Sequence, residues 1–195
     1  DHPTLPHSTY AVSKLAGDRA VFSMHKEHNF PAVIIRPFNS FGPNITQPYI
    51  VPEIILQILN GNRVLHLGNV ECSRDFTYVT DTARSILLAL SEEKAIGETI
   101  NLGRGNDIKI KDLAFLIAGL MGKQIEIETD PTRLRPYDVE RLYSSKGKAE
   151  KLLGWEPRVS LEDGLKITID WIKKNGVHFK NPFKGWTRTY NLRKG

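Results

Sequence analysis

The sequence predicts an α/β fold built on a parallel sheet. Three observations lead to it. The run Ala32-Val33-Ile34-Ile35 is short, β-branched and bounded by prolines, so it reads as a strand buried on both faces. Helical stretches stand on either side of it, over residues 9–27 and 51–59. The order then returns, with a helix over 82–90, a strand over 98–102 and a helix over 111–121.

The elements justify themselves in turn. Ser8 is placed to cap the first helix, its hydroxyl accepting from an early backbone amide. Ala11, Ala16, Gly17 and Ala20 keep that helix narrow, and Asn29 and Pro31 end it. Residues 37–48 follow the carboxyl end of the first strand, where open α/β sheets bind ligands. Pro52 opens the second helix and Gly61 stops it. Residues 63–67 alternate weakly and read as a strand, and 76–79 as a short extended piece. Thr80 or Asp81 is expected to cap the helix over 82–90. Gly122 ends the helix over 111–121, and a strand over 124–128 follows. Residues 129–138 read as a loop, and 146–153 as a short helix ended by Gly154. Ser160-Leu161-Glu162-Asp163 has the form of a capping box. It opens a helix to about residue 174, apolar at Leu161, Leu165, Ile169 and Ile172. The tail, 176–195, has no periodicity.

Composition narrows the function classes. Hydrophobic residues make up 40% and charged residues 25%, as in ordinary globular proteins. No apolar run approaches the ~20 residues of a membrane-spanning helix, so no membrane association is expected. Cys72 is alone, which gives no internal disulfide and fits a reducing cytoplasm. The six histidines have no metal-ligand spacing, and no metal is expected. The net charge of +5 suits nucleic acid or an anionic diphosphate. Lysines and arginines are spread along the chain, which favours the diphosphate. The opening Asp-His-Pro-Thr-Leu-Pro is neither a signal peptide nor a start methionine, so the chain reads as an excerpt.

Four stretches carry candidate chemistry. In the first, Tyr10 and Lys14 stand four residues apart, on one face if the stretch is helical. A free phenol titrates near pH ~10. A lysine cation beside it favours the phenolate and readies it for proton transfer at neutral pH. By itself the pair reads rather as a surface tyrosine beside a solvated lysine, since the spacing recurs by chance on many helices; its surroundings reverse that. The second stretch runs from the first strand through Arg36-Pro37-Phe38-Asn39-Ser40-Phe41-Gly42-Pro43. Its Asn39 amide can donate to a phosphate or sugar oxygen, or cap its own turn. The third is Arg74-Asp75-Phe76-Thr77-Tyr78-Val79, with Asp81 just after it. The fourth is Arg133-Leu134-Arg135-Pro136-Tyr137-Asp138-Val139. A guanidinium fork in either arginine stretch suits a diphosphate; a surface ion pair worth ~0–1 kcal/mol is the other reading of each.

In this order the four stretches resemble the extended short-chain dehydrogenase/reductase family, specifically its nucleotide-sugar epimerases and 4,6-dehydratases. The resemblance runs to about Lys174 and includes the Trp155-Glu156-Pro157 link. It implies the later part of a Rossmann-like doubly wound parallel sheet plus a smaller α/β substrate-binding domain. The division would give 1–48 and about 80–105 to the NAD-binding part, and about 49–79 and 106–175 to the nucleotide-sugar part. It implies NAD as cofactor, with Tyr10 and Lys14 catalytic and Tyr10, Lys14 and Pro37 at the cofactor. It implies a nucleotide diphosphate sugar as substrate, held by Asn39, Arg74 and Arg135, and a homodimer in the cytoplasm. The arginine stretches favour a 4,6-dehydratase; a 4-epimerase resembling those acting on UDP-glucose is the alternative. A non-catalytic NAD- or nucleotide-binding module is the alternative of another class, and retention of both Tyr10 and Lys14 counts against it. No known motif supports nucleic-acid binding. The Gly-rich dinucleotide fingerprint is not in these residues, since Gly103-Arg104-Gly105 lacks the third glycine and the early position. In the family that turn and the further acid/base pair precede the Tyr-x-x-x-Lys stretch, so these residues alone are expected to be inactive.

Overall fold

A computed structural model describes residues 4–177, so the predicted tail lies outside the described residues from position 178 on. The element order is α1 (Thr9–His28), β1 (Ile34–Pro37), β2 (Asn39–Phe41), α2 (Ile50–Leu59), β3 (Val64–Leu67), β4 (Ser73–Tyr78) and α3 (Val79–Ser91). It continues with β5 (Thr99–Leu102), β6 (Asp107–Lys109), α4 (Ile110–Leu120), β7 (Glu126–Thr129), β8 (Arg141–Leu142), α5 (Gly147–Leu153) and α6 (Leu161–Asn175). The α/β prediction holds. The pairs β1–β5, β2–β4, β3–β7 and β4–β8 are parallel, while β6 runs antiparallel to β4. Among the described residues these pairings form three small sheets.

Local chemistry sets the helix ends. The Ser8 hydroxyl accepts from the Ala11 amide at 3.1 Å and starts α1; Asn29, at φ 52°, stops it. The Ser160 hydroxyl accepts from the Asp163 amide at 3.0 Å and starts α6. Packing does the rest. The larger core joins α2, α4 and α6 to β3 and β4 through Ile54, Ile55, Leu65, Phe76, Leu113, Ile117 and Leu165. Gly164 lets α6 come close there, since a Cβ would lie 2.8 Å from the Phe41 and Tyr78 rings. The smaller core sets Ile100 and Leu102 of β5 against Ala149, Leu153 and Trp155.

Several expectations change in detail. Residues 32–35 are half-buried rather than buried on both faces, because β1 has a hydrogen-bonded neighbour only in β5 among the described residues. Residues 39–41, expected as loop, form β2 because they pair with Phe76–Tyr78. The helix α3 starts at Val79, with Tyr78 at its N-cap and no side-chain cap. Asp81 does not cap it. Its carboxylate turns inward and accepts from the Arg158 and Val159 amides, each at 2.9 Å, and from Arg84 at 3.0 Å. The loop over 129–138 contains a 3-10 turn, Pro131–Arg133. No helix among the described residues is long and apolar enough to cross a membrane.

Candidate functional site

The helix α1 carries the first candidates. Tyr10 and Lys14 share a face, with the Lys14 ammonium 5.5 Å from the centre of the Tyr10 ring. Tyr10 is 70% exposed, and no described residue of α1 is buried. Arg36 of β1 ties the helix to the sheet, its Nε donating to Asp18 at 2.5 Å. Pro37 closes β1 and is exposed. The next amide, Phe38, donates to the Leu102 carbonyl at 2.8 Å and fixes where the strand ends.

Asn39 stands at the start of β2. Its Nδ2 donates to the Asp75 carbonyl at 3.2 Å, so one amide hydrogen is committed inside the protein. Arg74 of β4 is also engaged. Its Nη1 donates to the carbonyls of Ser73 (2.7 Å) and Val139 (2.6 Å), and its Nη2 to the Asp138 carboxylate (2.6 Å). A guanidinium has five N–H donors. With those three used, Nε–H and one Nη2–H remain for an anion.

Arg135 is exposed and lies within residues 134–137, all of them exposed. That tip is held at both ends. On one side Arg133 donates to Glu53 at 2.5 Å and to Asp130 at 3.1 Å. On the other, Arg74 grips Asp138 and Val139. Further along, Arg141 and then Ser73 hold the Asp107 carboxyl down to about 2. The tip also reaches α1's approach, since Tyr137 stacks on His7 with ring centres 4.2 Å apart. The structure therefore gathers Asn39, Arg74 and the arginine segment around β4. Tyr10 and Lys14 stand on α1, which meets that segment through His7.

Sequence reasoning passed over His7, Asp75, Asp138 and Ser144. The signal for Asp75 was present, as an acidic residue inside an apolar strand must find partners if it is buried. Asp138 and Ser144 carry no local signal, because their partners in β4 are 64 and 69 residues away.

The sequence profile of the GDP-mannose 4,6 dehydratase family matches residues 1–168. The chain is 30% identical over 186 residues to dTDP-glucose 4,6-dehydratase of Salmonella typhimurium, covering 92% of this chain and 51% of that protein. It is 33% identical over 172 residues to UDP-glucuronate 4-epimerase of Thermodesulfobacterium geofontis, covering 87% of this chain and 52% of that one. Its fold matches a crystal structure of dTDP-glucose 4,6-dehydratase from Bacillus anthracis in complex with NAD. The TM-score is 0.81 and the identity 28%, over 89% of this chain and 54% of that one. The chain thus spans about half the length of the curated relatives it matches.

Proposed function

The chain belongs to the GDP-mannose 4,6-dehydratase family, the short-chain dehydrogenase-type nucleotide-sugar dehydratases and epimerases, and from that premise we propose that it serves a nucleotide-sugar 4,6-dehydratase as substrate-binding and proton-handling part. The observation that carries the proposal is the pairing of Tyr10 with Lys14 on one face of α1, joined through His7 and Tyr137 to an arginine segment. In this reading the Tyr10 oxygen takes the proton of the sugar 4-hydroxyl as the 4-keto sugar forms, and Lys14 steadies the negative charge on that oxygen. Arg135 and the free edge of Arg74 bind the diphosphate, and Asn39 offers its second amide hydrogen to the substrate.

NAD fits these residues in part. Tyr10, Lys14 and Pro37, at the carboxyl end of β1, suit its nicotinamide side. The Gly-rich turn that would take its pyrophosphate is not among residues 1–195. Bound NAD would supply the hydride acceptor and donor. We propose that the rest of the cofactor site lies elsewhere in a longer polypeptide. The half-length match supports this, as do the exposed Tyr10 and a β1 edge without a partner among the described residues.

The proposed division gives 1–48 and about 80–105 to the nucleotide-binding part, and about 49–79 and 106–175 to the substrate part. It departs from the two buried cores at Phe41, which packs in the larger one, and at Ala149, Leu153 and Trp155, which pack in the smaller one with β5. A 4-epimerase remains the second reading, favoured by the 33% identity to the Thermodesulfobacterium epimerase. We also propose a cytoplasmic homodimer paired through α1, which exposes Val12, Phe22 and Met24. Light scattering on the complete polypeptide is expected to give a dimer; a monomer at micromolar concentration would contradict that.

Arg135→Ala is expected to weaken nucleotide-sugar binding by about 1.5 kcal/mol, the lower end for a hydrogen bond to a charged group, because Arg135 is exposed. Calorimetry with the nucleotide sugar and with the free sugar checks it, since the free sugar should not register the change. The proposal as a whole is tested by heat stability with UDP-, dTDP- and GDP-sugars against an RNA oligomer. A midpoint raised by one of the sugars supports it. A midpoint raised by RNA alone sinks it.

A further inference from the structure

Asp75 is fully buried at 0% exposure, next to Arg74 in β4. Its carboxylate accepts four hydrogen bonds from two other stretches of chain. The Arg104 amide (2.9 Å) and the Gly105 amide (3.0 Å) come from the turn after β5. The Ser144 amide (3.1 Å) and hydroxyl (2.7 Å) come from the stretch after β8. Its backbone carbonyl takes the Asn39 amide. Gly103 shows how tightly this is packed, because a Cβ there would strike the Asp75 carboxylate and the Ser144 hydroxyl. Among the described residues no cation pairs with Asp75, so neutral donors alone hold the charge.

A buried charge without a counter-ion is a costly way to hold a fold together. Its use here is geometric. The four donors fix β4 against the β5 turn and against the stretch after β8, while Arg74 beside Asp75 holds the downstream end of the arginine segment at Asp138 and Val139. Asn39 hangs from the same residue and Arg74 precedes it. Asn39 and Arg74, and Arg135 by way of Arg74, are thus set relative to one another around Asp75. We propose that Asp75 is the positioning residue of the diphosphate-sugar site, with Ser144 as its principal partner. This rests on the nucleotide-sugar reading given above. Asp75 itself touches no substrate; it acts through the side chains it places. An aspartate-to-asparagine change at this site turns one acceptor oxygen into an N–H donor. Either the Arg104 side or the Gly105 and Ser144 side then loses its acceptor, and the arginine segment shifts against β4.

The test uses the complete polypeptide, kinetics with its nucleotide sugar, and NAD titration. Asp75→Asn is expected to raise KM at least ~10-fold, the scale of a lost charged hydrogen bond, and to leave kcat within ~3-fold. NAD affinity should stay unchanged, which a general loss of structure would not allow. Ser144→Ala removes one donor and is expected to raise KM by ~3-fold or more, again without change in NAD affinity. If Asp75→Asn does not fold, Ser144→Ala decides by the same criterion. KM within twofold of the unaltered protein in a folded variant overturns the proposal while leaving the nucleotide-sugar reading intact. So does a fall in NAD affinity in step with the rise in KM. Failure of the unaltered protein to bind any nucleotide sugar overturns both.

Discussion

Replacing Tyr10 by phenylalanine is expected to cut turnover of the complete enzyme at least ~100-fold, the usual scale for losing a general acid/base. The change removes one oxygen. The ring, and with it the 5.5 Å approach of Lys14, is kept. Tyr10 is 70% exposed, so nothing in the described core depends on its hydroxyl and folding should be untouched. Nucleotide-sugar affinity should also change little, because the proposed binding residues sit on β2, β4 and residues 134–137 rather than on α1. The signature is therefore a fall in kcat at nearly constant substrate affinity. Steady-state kinetics with parallel calorimetry reads both. Near-normal turnover would remove Tyr10 from the mechanism.

The second large effect concerns stability. Asp81 is 2% exposed, and its carboxylate satisfies two backbone amides and the Arg84 guanidinium. Its carbonyl also accepts from the Trp155 indole at 2.9 Å. Asp81→Ala keeps the carbonyl but strips the carboxylate, leaving the Arg158 and Val159 amides and Arg84 without that partner. Breaking such a buried charged cluster by removing one member costs about 3–5 kcal/mol. That is a large share of the 5–15 kcal/mol typical of a whole domain. Asp81→Asn retains one acceptor and should cost less. Urea unfolding of the two variants checks the order, and an alanine variant within about 1 kcal/mol of the unaltered protein would refute it.

Where the sequence was legible, the signal was local. Ser8 and Ser160 start α1 and α6 by bonds that span three residues, so the pattern alone predicts them. The Tyr10–Lys14 juxtaposition follows from helix geometry in the same way. The strands β6 and β8 escaped because they are three and two residues long, largely polar, and exist only by pairing with β4. Asp81 was misread for a related reason. A carboxylate near a helix start looks like a cap until the distant Arg158 and Val159 amides claim it. The arginines show both sides. Their presence in two stretches was readable, but that Arg133 and Arg74 anchor the tip while Arg135 stays exposed depends on Glu53 and Asp138. Those partners lie 80 and 64 residues away in sequence.

In the proposed reaction Tyr10 and Lys14 act on a nucleotide sugar gripped by the arginine segment. Mass spectrometry of the complete, NAD-loaded enzyme incubated with UDP-, dTDP- and GDP-hexoses tests it most directly. The expected result is conversion of one of them to a product lighter by one water, abolished by Tyr10→Phe. An isomer of unchanged mass, abolished by the same substitution, would move the reaction to 4-epimerisation and keep the roles of Tyr10 and Lys14. A folded, NAD-loaded enzyme that leaves every nucleotide sugar unaltered would contradict the claim.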